Sequence, residues 1–153
     1  MPVLLEKARP PFLVSNDPAK LDLEVIHGFL SNSYWSPGIP LAVLQRAVAG
    51  SLCFGLYHNG SQIGFARIVT DHATFAYLCD VFVLEEYRGR GLGHWLIQTL
   101  TEHPDLQALR RTILVTRDAH GLYEKFGFCP LVRPEGYMEL HRPNVCEAQH
   151  LPE

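Results

Sequence analysis

The sequence predicts an α/β domain of the α+β kind, built on a mixed, mostly antiparallel sheet with flanking helices. Three observations carry this. Two strand-like runs, Ser51 to His58 and Ser61 to Thr70, are separated by Asn59-Gly60, the pair best suited to a two-residue type I′ hairpin turn. The next run, Phe75 to Leu84, is almost entirely apolar and reads as a strand buried on both faces, which completes a three-strand antiparallel meander. After it the order changes to glycine loop, helix, strand, helix, strand, so the sheet is not a uniformly wound parallel one.

The other elements follow from local chemistry. Pro10-Pro11 closes a short leader, and Phe12 to Val14 reads as a first strand ended by Ser15-Asn16-Asp17-Pro18. A helix is predicted over Pro18 to Leu30, with Asp17 as N-cap and Leu21, Val25, Ile26 and Phe29 at helical spacing. The loop Ser33-Tyr34-Trp35-Ser36-Pro37-Gly38 leads to a second helix, Pro40 to Ala49, stopped by Gly50. A helix from the glycine loop to His103 carries its buried stripe on Leu92, Trp95, Leu96, Ile97 and Leu100 and is ended by Pro104. Thr112 to Thr116 reads as a strand, Ala119 to Phe126 as a helix ended by Gly127, and Gly136 to His141 as a last strand. Residues 1–153 are expected to form a single domain with a core over about 12–141 and a polar tail over 143–153.

Composition narrows the function. Of 153 residues 47% are hydrophobic and 19% charged, and the net charge is −3, so bulk positive charge for nucleic acid or an anionic membrane is lacking. No apolar run approaches the ~18 residues of a membrane span. Met1 to Arg9 lacks the apolar core of a signal peptide. Cys53, Cys79, Cys129 and Cys146 form no Cys-x-x-Cys, and the eight histidines show no ligand spacing, so neither a disulfide framework nor a metal site is expected. The expected setting is reduced and cytoplasmic.

The sharpest feature is the turn Arg88-Gly89-Arg90-Gly91-Leu92-Gly93 at a strand-to-helix junction. Glycines open backbone conformations closed to other residues, and the first amides of a helix, with its dipole, suit a phosphate or pyrophosphate. Arg88 and Arg90 add charge-assisted donors. A tight turn with two solvated arginines is the plainer alternative. The loop lacks the Gly-Lys-Ser/Thr of a kinase-type P-loop. Its glycines alternate as G-x-G-x-G, unlike the dinucleotide fingerprint, and an antiparallel meander precedes it.

The stretch Val81 to Gly93 resembles the acetyl-CoA loop of the GNAT N-acetyltransferase superfamily, whose (Q/R)-x-x-G-x-(G/A) signature is filled by Arg88, Gly91 and Gly93. Further on, Ala119-His120-Gly121-Leu122-Tyr123-Glu124-Lys125-Phe126-Gly127-Phe128 is similar to that family's second motif, often A-x-x-x-Y-E-K-x-G-F. Two motifs in the right order are far more specific than either alone. The resemblance implies the GNAT fold, with two neighbouring strands splayed apart to receive the pantetheine arm of acetyl-CoA. It also implies an acetyl-CoA-dependent N-acetyltransferase that passes the acetyl group directly to an amine acceptor. Backbone groups of Val81, Phe82 and Val83 would then meet the pantetheine or acetyl carbonyl. The amides of Gly89, Arg90, Gly91, Leu92, Gly93 and His94 would meet the pyrophosphate. Where many members carry an asparagine on the pantetheine arm this chain has Thr116, so that contact is altered or is supplied by Arg117 or Asp118.

Tyr123 matches the family's general acid near the CoA sulfur; a phenol with an ordinary pKa stays protonated at neutral pH. It also fits a core stripe with Leu122 and Phe126. Asp80 is the only charge between Phe75 and Leu84, which makes it a candidate base or ammonium-binding group, or else a structural aspartate satisfied by its neighbours. Strict alternation puts Tyr77, Cys79 and Val81 on one face and Asp80 on the other, unless a bulge intervenes, and Tyr77 is an alternative relay. Tyr34 and Trp35, on the loop that borders the acceptor pocket in this fold, either stack on a ligand or anchor the loop. Arg67 shares a face with Phe65 and Val69 and either holds a substrate carboxylate or packs its stem on the sheet. Four acids and no Lys or Arg lie between Arg67 and Arg88, which favours a cationic acceptor. His72 and His120 read as surface imidazoles, and Glu85 and Glu86 as a solvated turn.

The leading expectation is therefore transfer of an acetyl group to a small primary amine, with a protein amine as the variant that needs an open groove. A non-catalytic acyl-CoA-binding module and a nucleotide-binding regulator are the competing classes. An edge strand near the C-terminus offers a route to a homodimer.

Overall fold

The computed structural model describes residues 3–145, so the end of the expected tail, with Cys146, lies outside the described residues. Six strands form one sheet in chain order: β1 (Glu6–Arg9), β2 (Phe12–Ser15), β3 (Leu52–His58), β4 (Ser61–Thr70), β5 (Phe75–Val83) and β6 (Arg111–Leu114). Every neighbouring pair is antiparallel except β5 and β6, which are parallel. Helices α1 (Leu23–Leu30) and α2 (Leu41–Ala49) join β2 to β3, α3 (Leu92–Thr101) joins β5 to β6, and α4 (His120–Glu124) follows β6.

The β3–β4 turn has the expected chemistry, with Asn59 and Gly60 at φ of 49° and 86°, the left-handed pair that a type I′ turn requires. The leader is itself a strand. Pro10 and Pro11 lie between β1 and β2, and the Asn16 side chain accepts from the Leu5 amide at 2.8 Å and donates to the Val3 carbonyl at 2.7 Å. Charged Glu6, Lys7 and Arg9 suit this exposed edge. The helix expected over Pro18 to Leu30 is broken. Asp17 caps a single 3₁₀ turn, Pro18–Lys20, and Leu21 is extended. Asp22 then caps α1 by accepting from the Glu24 and Val25 amides, while its own amide donates to Gln62 Oε1 on β4 at 2.7 Å. A second cap and a long-range hydrogen bond outweigh the continuous helical spacing.

Two apolar clusters sandwich the sheet. On one face Phe54, Leu56, Ala66, Ala76 and Leu78 pack with Trp95, Leu96 and Leu100 of α3; on the other Phe65 and Phe82 pack with Ile26, Leu30 and Leu44 of α1 and α2. The buried stripe on α3 is as predicted. The strand expected at Gly136 to His141 does not form: after a 3₁₀ turn at Pro134–Gly136 the chain runs on exposed and unpaired with any strand. Among the described residues no helix is long and apolar enough to cross a membrane.

Cys53 lies in the second cluster, and burial pushes its thiol up to about 12. The free thiol titrates near ~8.5, so the folded value lies above the unfolded one. Cys53 thus contributes stability that is complete below the unfolded pKa and is lost as pH rises toward the folded one. Denaturant midpoints measured across that window should fall with pH in the wild type and fall less steeply in Cys53→Val; equal slopes would rule this out.

Candidate active site

β5 is where the regular pattern breaks. Phe82 pairs with Phe65 and Cys79 with Arg67, so Asp80 and Val81 together oppose Ala66 alone. This is a β-bulge, and Asp80 takes the left-handed conformation, with φ of 54°. The extra residue reverses the alternation. Before it Ala76 and Leu78 face the α3 cluster; after it Val81 and Val83 do, while Phe82 turns to α1 and α2. Asp80 thereby lands on the same side as Arg67 rather than on the opposite face.

Each oxygen of its carboxylate accepts one hydrogen bond from a residue distant in the chain. Oδ2 accepts from Arg67 Nε at 2.7 Å and Oδ1 from Trp35 Nε1 at 2.9 Å. Arg67 Nη1 donates to Ser51 Oγ at 3.1 Å. The ion pair is largely buried, with side-chain exposures of 18% for Arg67 and 7% for Asp80. A carboxylate and a guanidinium removed from water to this degree need each other: either charge left alone would keep its desolvation cost. Cys79 is half-buried beside them, and burial pushes its thiol up to about 11. Tyr77, half-buried on the same strand, is also raised by burial and then by nearby Cys79 and Asp80.

The loop between α1 and α2 closes over this region. Trp35 spends its N–H on Asp80, so its ring anchors the loop. Tyr34 stands edge-on to Trp35 at 5.0 Å and lies under the Arg117 guanidinium at 3.9 Å from the ring centre. The Tyr34 phenol is near enough to Tyr123 to raise its pKa, although burial is the larger cause. Tyr123 is 8% exposed, on α4, and meets Phe128 edge-on at 5.8 Å. The loop, β5 and α4 therefore converge on one place.

β5 and β6 pair only from Phe75 and Arg111 to Leu78 and Leu114. β5 then continues through Val83 with no β6 partner, while the chain after Leu114 leaves the sheet. Such a parting at the carboxyl ends of parallel strands is the usual position of a ligand crevice. Thr116 Oγ1 accepts from the Ala119 amide, which fixes the entry to α4. The glycine loop lies at the end of β5. Gly89 and Gly91 have φ of 78° and 75°, and a Cβ on either would meet no atom within 4 Å, so it is backbone conformation rather than space that calls for glycine. Gly91 is the N-cap of α3, and no side chain bonds the first amides of that helix. Arg88 donates through Nε to the Val83 carbonyl at 2.9 Å, and Arg90 lies 5.5 Å from the centre of the Tyr87 ring. Leu92 is buried, a Cβ added at Gly93 would stand 3.8 Å from the Val83 side chain, and the exposed His94 packs at 4.8 Å from Phe126.

The sequence-predicted residues thus fall into three groups. Arg88 to His94 surround the start of α3 at the end of Val81 to Val83. Tyr34, Trp35, Arg67, Tyr77 and Asp80 lie on the α1–α2 side, and Tyr123 and Thr116 are on the chain that leaves β6. Ser51 was not singled out from the sequence and Phe29 only as part of a helical stripe; Phe29 stacks on Phe82 at 4.0 Å and supports Trp35. Neither carries a local signal of a role at the site, because each acts through a partner far away in the chain. His72 is remote: it pairs with Asp105 at the turn end of β5. Glu85 and Glu86 are exposed, as expected.

Comparison with known proteins agrees with this geometry. Residues 49–130 match the acetyltransferase (GNAT) domain. A Gibberella zeae protein named "Putative acetyltransferase" is 38% identical over 76% of this chain and 78% of its own length. A crystal structure from Xanthomonas campestris, described as "a putative acetyltransferase belonging to the gnat family", superposes with a TM-score of 0.87 at 49% identity, covering 91% of this chain and 99% of that one. A Clostridium acetobutylicum "predicted acetyltransferase with acetyl-CoA" shares the fold, with a TM-score of 0.59 at 15% identity over 79% of this chain and 92% of that one. With a domain match over more than half of its length and relatives of this identity and coverage, the chain belongs to the GNAT acetyltransferase family.

Proposed function

We propose that this protein is an acetyl-CoA-dependent N-acetyltransferase acting on a small primary amine. The observation that carries the reading is the juxtaposition of the β5–β6 parting with the uncapped start of α3. That start offers unpaired amides and a positive dipole end to a pyrophosphate, and Arg90 is close enough to add charge. The gap between the strands offers the unpaired side of β5 to an extended acyl-bearing arm. The residues present fit the co-substrate, whose contribution is an activated thioester.

The chain's own groups divide the remaining work. Main-chain N–H at Val81, beside the bulge, is the proposed donor to the thioester carbonyl oxygen as charge develops there. Tyr123 is the proposed acid that gives its proton to the departing sulfur as the C–S bond breaks, while the amine attacks in its neutral form and its nitrogen releases one proton to solvent as the C–N bond forms. Burial holds the Tyr123 phenol above the ordinary value, so it remains a proton donor through the whole neutral and mildly alkaline range. Asp80 faces the acceptor side. Each of its oxygens already accepts one hydrogen bond and keeps a lone pair for an amine N–H, a narrower role than that of a free base. The rings of Tyr34 and Trp35 wall that side, and Arg67 holds Asp80 in place. The C. acetobutylicum relative with acetyl-CoA and a Mycobacterium tuberculosis relative in complex with CoA, both of the same fold, support the choice of co-substrate.

Acetyl-CoA at about 100 times its dissociation constant should stabilise the protein by ~2.7 kcal/mol, read as a rise of several degrees in Tm, whereas NAD and ATP should not. No shift with acetyl-CoA would sink the reading. A panel of primary amines scored by free-CoA release then identifies the acceptor.

In turnover with that acceptor, Tyr123→Phe should lower kcat by about 100-fold or more and leave the acetyl-CoA thermal shift intact. Unchanged kcat would remove the acid role.

Asp80→Asn leaves Arg67 without its counter-charge and should cost ~2 kcal/mol in denaturant unfolding, below the ~3–5 kcal/mol of a fully buried pair because Arg67 retains some solvent. Adding Arg67→Met should cost little more, since the partner is already lost; additive losses would show that the two act independently.

A further inference from the structure

The aromatic pair beside Asp80 has a group of opposite charge at each end. At one end Asp80 Oδ1 accepts from Trp35 Nε1 at 2.9 Å. The Trp35 ring meets Tyr34 edge-on at 5.0 Å, and the Arg117 guanidinium stands 3.9 Å from the centre of the Tyr34 ring. Arg9, Arg90 and Arg111 also stand over rings, but at 4.8 Å or more, so Arg117 is the arginine held most closely by its face. Among the described residues it has no hydrogen bond and no ion pair, not even with neighbouring Asp118. Its side chain is exposed, so its five N–H donors are free for a ligand.

The place matters as much as the freedom. Arg117 follows Thr116, which fixes the entry to α4, and its partner Tyr34 is near enough to Tyr123 to raise the Tyr123 pKa. Arg117 therefore stands where the α1–α2 loop meets the chain that carries the proposed acid. Arg67, the other arginine near Asp80, is less available. It is largely buried, with Nε on Asp80 and Nη1 on Ser51.

Resting on the acetyltransferase reading, we propose that the acceptor is a primary amine that also carries a carboxylate, and that Arg117 binds this carboxylate while the amine lies toward Asp80. A guanidinium held by its face keeps a planar fork of donors, which matches the two oxygens of a carboxylate. Stacking on Tyr34 has already cost Arg117 part of its rotamer freedom, so less is lost on binding. The spacer between amine and carboxylate is apolar, because the rings of Tyr34 and Trp35 lie between the two charged ends. The carboxylate takes no part in the transfer; it selects the acceptor and fixes where the amine lies.

The test compares β-alanine, γ-aminobutyrate and ε-aminocaproate, each with its own primary amide, which lacks only the negative charge. Turnover is scored by free-CoA release. The N-acetyl products of each pair are also titrated by calorimetry into the CoA-saturated protein, which needs no turnover. At least one carboxylate should be preferred to its amide by about 10-fold or more, the worth of a charge-assisted bidentate contact, with the difference in KM rather than kcat. Arg117→Gln should abolish that preference, Arg117→Lys should restore part of it, and Arg117→Glu should favour the amide. A merely structural arginine would not move this ratio. No preference in either turnover or product binding overturns the proposal, and so does a preference that persists in Arg117→Gln. Loss of the acetyl-CoA thermal shift in Arg117→Gln also overturns it, by placing the guanidinium on the co-substrate. Turnover of carboxylates and amides alike overturns this proposal and keeps the acetyltransferase reading. Arg117-dependent preference in product binding without any turnover supports the carboxylate site and counts against that reading.

Discussion

The ion pair between Arg67 and Asp80 is the contact on which the site depends. It exists only because β5 contains one residue more than β4 requires at that point, and the bulge brings a carboxylate to the face of the guanidinium on the neighbouring strand β4. The left-handed backbone at Asp80 carries a conformational cost of order 1–3 kcal/mol. Hydrogen bonds from Arg67 and Trp35 offset it, and they are made to a charged acceptor in a largely buried setting, where such bonds are strongest. The same bonds tie the α1–α2 loop to the sheet, so that loop and the distortion of the strand are one structural unit.

The bulge also explains how a single strand serves two sides. Upstream of Asp80 the strand is an ordinary member of the sheet, paired with β4 and β6. Downstream its inward and outward faces have exchanged, Phe82 stacks under Phe29 on the α1 side, and the β6 neighbour has departed. A strand with reversed alternation cannot keep its original partner in register and its core contacts together. Its end is instead held by Arg88 on the Val83 carbonyl. The net charge of −3 describes none of this. Positive groups gather at the start of α3, and Asp80 is neutralised in place by Arg67, so the local fields differ from the average.

Much of the framework was legible because it rests on short-range chemistry. Asn59-Gly60 adopts the only conformation in which both residues are comfortable at a tight hairpin, and the Leu92 to Leu100 stripe gives α3 its buried face whatever surrounds it. The glycines of the loop mark positive φ at Gly89 and Gly91. Tyr123 and Arg88 were singled out through motif resemblance. The break after Pro18–Lys20 was not, because Asp22 is held by Gln62, forty residues away in the chain. The strand character of Glu6–Arg9 was hidden for the same reason: it depends on Asn16 reaching back to Val3 and Leu5.

The sequence by itself determined the three-strand meander and its hairpin turn, the helix α3 with the loop at its start, and the family, since each is written in residues that are close together or in a motif. Tertiary structure decided which side of the sheet Asp80 occupies, that Trp35 anchors rather than waits, and that Gly136 to His141 stays unpaired within one chain. Alternation along a strand specifies faces only until an extra residue intervenes, and a strand-like pattern becomes a strand only where another edge receives it. Both conditions belong to residues distant in the chain, where no local pattern can express them.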